Sequence, residues 1–135
     1  MRNFRKLDCW NLGMEIIKDI FRVLDKLPNV ENYGLRSQMS RAVISMPSNI
    51  AEGCSRSSNK EVARYFEIAI GSAFELETQI LVAVKAGYLS ESDTQDALAR
   101  VQEFQRKTNA YRLKILSLKT GFSCECAHPK CPANS

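Results

Sequence analysis

The residues best suited to chemistry lie near the C-terminal end, in Cys124-x-Cys126-x-His128-x-x-Cys131. Three thiols and an imidazole so close together are zinc-ligand types. Their spacing is tighter than that of paired-ligand motifs, because a single residue separates Cys124 from Cys126. Pro129 and Pro132 favour an extended chain there. The segment from 121 to 135 therefore reads as a flexible tail with reactive thiols, and no metal is assigned to it. His128 is the one histidine in the sequence. Its place in the tail leaves the predicted helices without a histidine, and so without a Glu-x-x-His di-iron site or a nucleophile–imidazole arrangement. Glu75 and Glu77 are two positions apart, so on a helix they diverge rather than act as a close pair. No glycine-rich phosphate loop is present. The reading is a non-enzyme with no catalytic residues and no cofactor.

Two further patterns carry polar chemistry. Arg41, Ser45, Ser48 and Glu52 recur at helical spacing and share one polar face. With a turn centred near Arg56, the following helix folds back so that Arg41 lies beside Ser72 and Glu75, and Glu52 beside Lys60 and Arg64. An Arg41–Glu75 ion pair is the natural expectation. Asn49 is placed to satisfy backbone groups that Pro47 frees. Arg41, Ser45, Asn49, Glu52, Ser72 and Glu75 thus form either a network that fixes helix register or a ligand site; the register-fixing network is the reading adopted. Arg100, Lys107 and Lys114 recur every seven residues, with Arg106, Arg112 and Lys119 nearby. They form either a solvated face whose cations complement a helix C-terminus or a stripe for RNA phosphates.

Helices must position these residues. Apolar residues at Leu7, Trp10, Met14, Ile17, Phe21, Leu24 and Leu27 predict a first amphipathic helix, closed by Pro28-Asn29. Leu35, Met39, Ala42, Met46 and Ile50 predict a second, starting near Asn32 and ending at Gly53, with a kink or break near Ser45 caused by Pro47. Ser58-Asn59-Lys60-Glu61 is a capping box. It opens a third helix whose stripe is Val62, Phe66, Ala69, Ala73, Leu76, Ile80 and Ala83, ending at Gly87. Ser90-Glu91-Ser92-Asp93 opens a fourth, with Thr94, Ala97, Val101, Phe104, Thr108, Tyr111, Ile115 and Leu118 on its seam and Gly121 at its end. No strand pattern competes. Short connections make neighbours antiparallel, so residues 1–120 are expected to form an all-α, up-down-up-down four-helix bundle.

The chain has 135 residues, which is one domain. It has no apolar run near the ~20 residues of a membrane span. Its basic N-terminus leads into no apolar signal region, and its five cysteines form no disulfide framework. These features predict a cytoplasmic protein with reduced thiols. A net charge of +4 is compatible with a polyanion partner without requiring one. The third helix also carries a second apolar row of Ile70, Phe74, Leu81, Val84 and Tyr88. Either the core is thick, or this row is a subunit interface; the interface is the expectation adopted.

The stretch from Tyr33 to Gly53, with its Arg41-Ala42 and Ser45-x-Pro47-Ser48-Asn49-Ile50-Ala51-Glu52-Gly53, resembles the signature of the bacterial four helix bundle protein family. That family includes proteins encoded in intervening sequences of large-subunit ribosomal RNA genes. Phe4-Arg5-Lys6-Leu7 with Trp10 is similar to its start, and Ile68-Ala69-Ile70-Gly71-Ser72, Glu75-Leu76-Glu77 and Ala86-Gly87-Tyr88-Leu89 to its third helix and turn. The similarity spans about residues 4–119. Where the family usually carries a basic residue, this chain has Ile70. The resemblance implies a homopentameric barrel of bundles without enzymatic activity. A more distant likeness, to the accessory protein of diversity-generating retroelements, implies the alternative of a scaffold for a nucleic-acid enzyme such as a reverse transcriptase. The functional expectation is a non-enzymatic, homo-oligomeric protein of ribosomal RNA intervening sequences, with Arg100, Lys107 and Lys114 as its RNA-contacting residues.

Overall fold

The computed structural model describes residues 2–127, with side chains through Leu118. His128 and Cys131, and the side chains of Cys124 and Cys126, fall outside the described residues, and the metal question with them. The elements are α1 (Asp8–Leu24), α2 (Leu35–Cys54), α3 (Asn59–Lys85) and α4 (Glu91–Ala127). Short 3-10 turns occupy Phe4–Lys6 and Asn29–Glu31, and no strand occurs among the described residues.

Local chemistry sets the helix ends. Glu31 Oε1 accepts from the Leu35 amide at 3.0 Å, and Glu31 Oε2 accepts from the Tyr88 hydroxyl at 2.9 Å. These bonds start α2 at Leu35 rather than near Asn32, and they hold the Glu31 carboxyl below its ordinary pKa. Ser58 Oγ caps α3 by accepting from the Glu61 amide at 3.1 Å. Ser90 and Asp93 cap α4 reciprocally: Ser90 Oγ accepts from the Asp93 amide, and Asp93 Oδ2 from the Ser90 amide, each at 3.1 Å. Lys26, just past α1, donates to Asp93 Oδ1 at 2.7 Å. The Lys26 ammonium first, then the Ser90 cap, bring the Asp93 pKa down to about 2. Gly87 sits at φ 83°, and the Tyr88 amide reaches back to the Ala83 carbonyl at 3.0 Å. This left-handed turn closes α3 where a residue with a side chain would be strained.

Each helix packs against two neighbours, and α1 closes the ring against α4. The core stripes of α2 and α3 are those the periodicity predicts. On α4 the seam is buried from Thr94 through Ile115, with Tyr111 half-buried, but Leu118 is exposed. The buried face of α1 is different from the expected one. Cys9, Gly13, Ile16, Ile20, Val23, Leu24 and Leu27 are inside, while Met14 and Phe21 are exposed. Gly13 explains the choice. A Cβ there would lie 3.3 Å from Phe104 Cε2 and 3.3 Å from Pro47 Cβ and Cδ. The helix turns its bare backbone inward, where a side chain would crowd Pro47 and Phe104.

Three other expectations change. Pro47 does not break α2, which runs unbroken from Leu35 to Cys54. The proline is buried against Gly13, and this packing compensates for the lost amide bond. The α2–α3 register is displaced by about a turn, so that Ser45 meets Ser72 and Gly53 meets Tyr65 and Phe66. The first turn of α3 consequently extends beyond the end of α2. Arg2 ties the two ends together, its amide donating to the Cys54 carbonyl at 3.2 Å and its guanidinium to Asn59 Oδ1 at 2.9 Å. Finally, α4 continues past Gly121 to Ala127. A glycine ends a helix by turning left-handed, and among the described residues only Gly87 does so.

Two glycines should respond oppositely to alanine. A Cβ at Gly53 would lie 2.9 Å from Tyr65 Cβ, whereas one at Gly71 meets nothing within 4 Å. Gly53→Ala should lose roughly 1–3 kcal/mol by overpacking. Gly71→Ala, in mid-helix, should gain roughly 0.5–1 kcal/mol. Urea unfolding of the two variants measures both signs.

Candidate functional site

The motif residues of α2 and the facing residues of α3 line an open polar cleft. Gln38, Arg41, Ala42, Ser45, Ser72 and Glu75 enclose about 240 Å³. Its floor is rigid. Ser45 Oγ and Ser72 Oγ are 2.8 Å apart. Asn49 Nδ2 donates to both the Ser45 carbonyl and Ser45 Oγ, each at 2.9 Å. Asn49 thus anchors Ser45, at a different carbonyl from the Val43 oxygen that Pro47 leaves without its usual partner. The cleft's charged groups are not joined. Arg41 and Glu75 line it together, yet both are exposed and no ion pair within 4.0 Å connects them. Glu52 is outside the network, exposed and paired with Arg56 at 3.2 Å rather than with Lys60 or Arg64. Of the six expected network residues, Ser45, Asn49 and Ser72 are hydrogen-bonded together, Arg41 and Glu75 flank them, and Glu52 is separate.

The basic stripe is weaker than its spacing suggested. Arg100 donates to Asp19 Oδ2 on α1 at 2.7 Å. Lys107 pairs with Glu103, one turn away on its own helix, at 3.2 Å. The cross-helix bond to the largely buried Asp19 neutralises much of the charge Arg100 would offer to phosphate, whereas the exposed Lys107–Glu103 pair is a weak one that Lys107 can exchange for a phosphate. The sequence reading missed Lys6. Together with Lys107 and Lys114 it lines a groove of about 410 Å³ between the start of α1 and α4, floored by Cys9, Ala110 and Tyr111, with Asp8 at its edge. Lys6 lies in the short turn before α1, which no helical periodicity could connect to α4. Tyr111 is held in place by stacking on Phe66, with ring centroids 5.4 Å apart. Beneath the groove, burial pushes the Cys9 thiol up to about 11, and the Thr108 hydroxyl beside it offsets only part of that rise. Burial also raises Cys54. Both are buried neutral thiols, not reactive ones.

A family model described as 23S rRNA-intervening sequence protein matches residues 5–110. The chain belongs to that family. Among solved structures, it is similar to a protein of unknown function from the S23 ribosomal protein family of Bacteroides thetaiotaomicron. The two are 16% identical, with a TM-score of 0.71, and the match covers 77% of this chain and 97% of the other. At that identity the likeness establishes the fold. No curated protein matches the chain. No helix among the described residues is long and apolar enough to cross a membrane.

In this intervening-sequence family member, the second apolar row of α3 divides. Phe74 and Leu81 are 57% and 50% exposed. Leu81 and Val84 line a groove of about 750 Å³ with Leu98 of α4. Ile70 is half-buried, Val84 packs on the core, and Tyr88 is committed to Glu31 within the chain. The rotation of α1 exposes Met14 and Phe21, which the sequence reading placed in the core, and Ile44 of α2 is exposed as well. Met14, Phe21 and Ile44 are 41%, 45% and 46% exposed. Met14 and Ile44 border a groove shared with Phe4, Trp10, Ile17 and Pro47.

Arg41 and Ser45 should therefore separate in a stability measurement. Arg41→Ala removes an exposed, unpaired charge and should change stability by no more than ~0.5 kcal/mol. Ser45→Ala removes the Ser72 hydroxyl's partner and one of the two Asn49 Nδ2 bonds, leaving the bond to the residue 45 carbonyl, and should lose roughly 1 kcal/mol. Chemical denaturation of both variants checks the difference.

Proposed function

We propose that this protein is a non-enzymatic, homo-oligomeric bundle associated with ribosomal RNA intervening sequences, holding RNA through its phosphates. Membership of the 23S rRNA-intervening sequence protein family supports the association. The observation that carries RNA contact is the convergence of Lys6, Lys107 and Lys114 around one groove. Phosphate contact of this kind is largely independent of sequence. The non-enzymatic reading draws its support from a cleft that sets no imidazole beside its two hydroxyls.

The up-down-up-down order is supported by contacts between helices. Ser45 meets Ser72, Glu77 accepts from Gln102 and Gln105 at 3.0 and 2.8 Å, and Lys26 at the end of α1 meets Asp93 at the start of α4. Pentamer formation follows the family resemblance, with Phe74 and Leu81 as exposed apolar anchors. Five copies would turn a modest charge of +4 per chain into a strong field.

Light scattering at micromolar concentration should report about five times the 15.2 kDa chain mass, and Leu81→Lys should dissociate the particle. A wild-type monomer across a wide concentration range would reject assembly. For RNA, Lys6→Gln, Lys107→Gln and Lys114→Gln combined should weaken binding to unrelated sequences alike. The slope of log K against log salt should fall by about 2–3 per chain. Arg100→Gln should have little effect, since Asp19 already neutralises that position. No wild-type binding at ~50 mM salt, where phosphate contacts are strong, would leave the scaffold reading in its place.

A further inference from the structure

The α2–α3 cleft has a charge arrangement that neither RNA contact nor assembly uses. Its walls carry one guanidinium, from Arg41, and one carboxylate, from Glu75, and neither is engaged by the other. We propose that this cleft binds a small zwitterion of the α-amino acid class, with its carboxylate on Arg41 and its ammonium on Glu75.

The charge balance decides the ligand class. A bare anion drawn to Arg41 would also face Glu75, and a bare cation drawn to Glu75 would face Arg41. Each repulsion would offset part of the attraction. A ligand that carries an ammonium and a carboxylate on one carbon satisfies both walls and leaves the cleft neutral. An RNA phosphate lacks the second charge and fits the lysine groove instead. The size agrees, since about 240 Å³ holds a single small molecule rather than a polymer segment.

The floor supplies directional bonds. Ser45 and Ser72 bring two hydroxyl hydrogens, and their mutual bond uses one of them. Asn49 donates to Ser45 Oγ and so takes no hydrogen from the pair. One O–H remains free to donate to a ligand carboxylate beside Arg41. Charge-assisted bonds of this type are the strong ones.

The test is calorimetric titration of the full-length protein with each of the twenty amino acids. Acetate and methylammonium serve as single-charge controls. At least one amino acid should bind at about 1 mM or tighter, and both controls at least about tenfold more weakly. Arg41→Gln and Glu75→Gln should each weaken binding about tenfold or more while circular dichroism shows the helices intact. Glu52→Gln, on the same helix but outside the cleft, should leave binding unchanged. The proposal is overturned if no amino acid binds the folded wild type at ~10 mM, or if binding survives both cleft variants. It is also overturned if acetate binds as well as any amino acid and Glu75→Gln strengthens it, since the cleft would then be a simple anion site. RNA binding at the lysine groove is scored separately, so failure of either reading leaves the other intact.

Discussion

Three helices converge on Gly13, and the rest of the structure follows from that contact. Pro47 of α2 and Phe104 of α4 both approach within 3.3 Å of where a Cβ would stand. A proline in mid-helix lacks a donor and crowds the turn before it. Here its ring fills the space that glycine leaves open, so α2 keeps its helix and α1 is drawn close. The contact also sets the rotation of α1. With Gly13 inward, Ile16 and Ile20 go to the core, and Met14 and Phe21 must face out. The outer apolar surface of α1 is thus a consequence of core packing.

Most of the fold was legible because three of the four helices have one dominant apolar row. On α3, Val62 through Ala83 form the longer and more regular of two rows, and every member is buried. On α1 two apolar rows lie side by side, and periodicity favoured the one with Trp10, Met14 and Phe21. The winning row contains Cys9 and Gly13, residues that add little hydrophobicity and signal close approach instead. A glycine flanked by apolar neighbours, with a proline in the adjacent helix, was the available clue. The end of α4 was misplaced for a related reason. Gly121 is a stop only if the backbone turns left-handed, and residue type alone does not fix that.

The site was legible in its membership more than in its bonding. Arg41, Ser45, Ser72 and Glu75 share one cleft, as helical spacing required. That Arg41 and Glu75 stand unpaired is a matter of register and rotamer, and a displacement of about a turn decides it. Charge patterns were least legible. Seven-residue spacing identified Arg100, Lys107 and Lys114 as one stripe, but it does not see across helices. Asp19 comes from α1 and takes Arg100, while Lys6 comes from the turn before α1 and joins the other two.

The seams of the bundle differ in kind, and one of them changes along its length. The groove between α1 and α2 is apolar, with Met14 and Ile44. A neutral polar cleft follows α2 and α3, and the lysine groove follows α1 and α4. The α3–α4 seam is mixed: Leu81, Val84 and Leu98 lie at one end, Glu77 with Gln102 and Gln105 in the middle, and Arg64, Glu67 and Arg112 at the other. Antiparallel pairing explains the change, because each step along one helix meets a new partner on the other. The character of a seam is therefore set residue by residue, and the seven-residue spacing of one helix cannot report it.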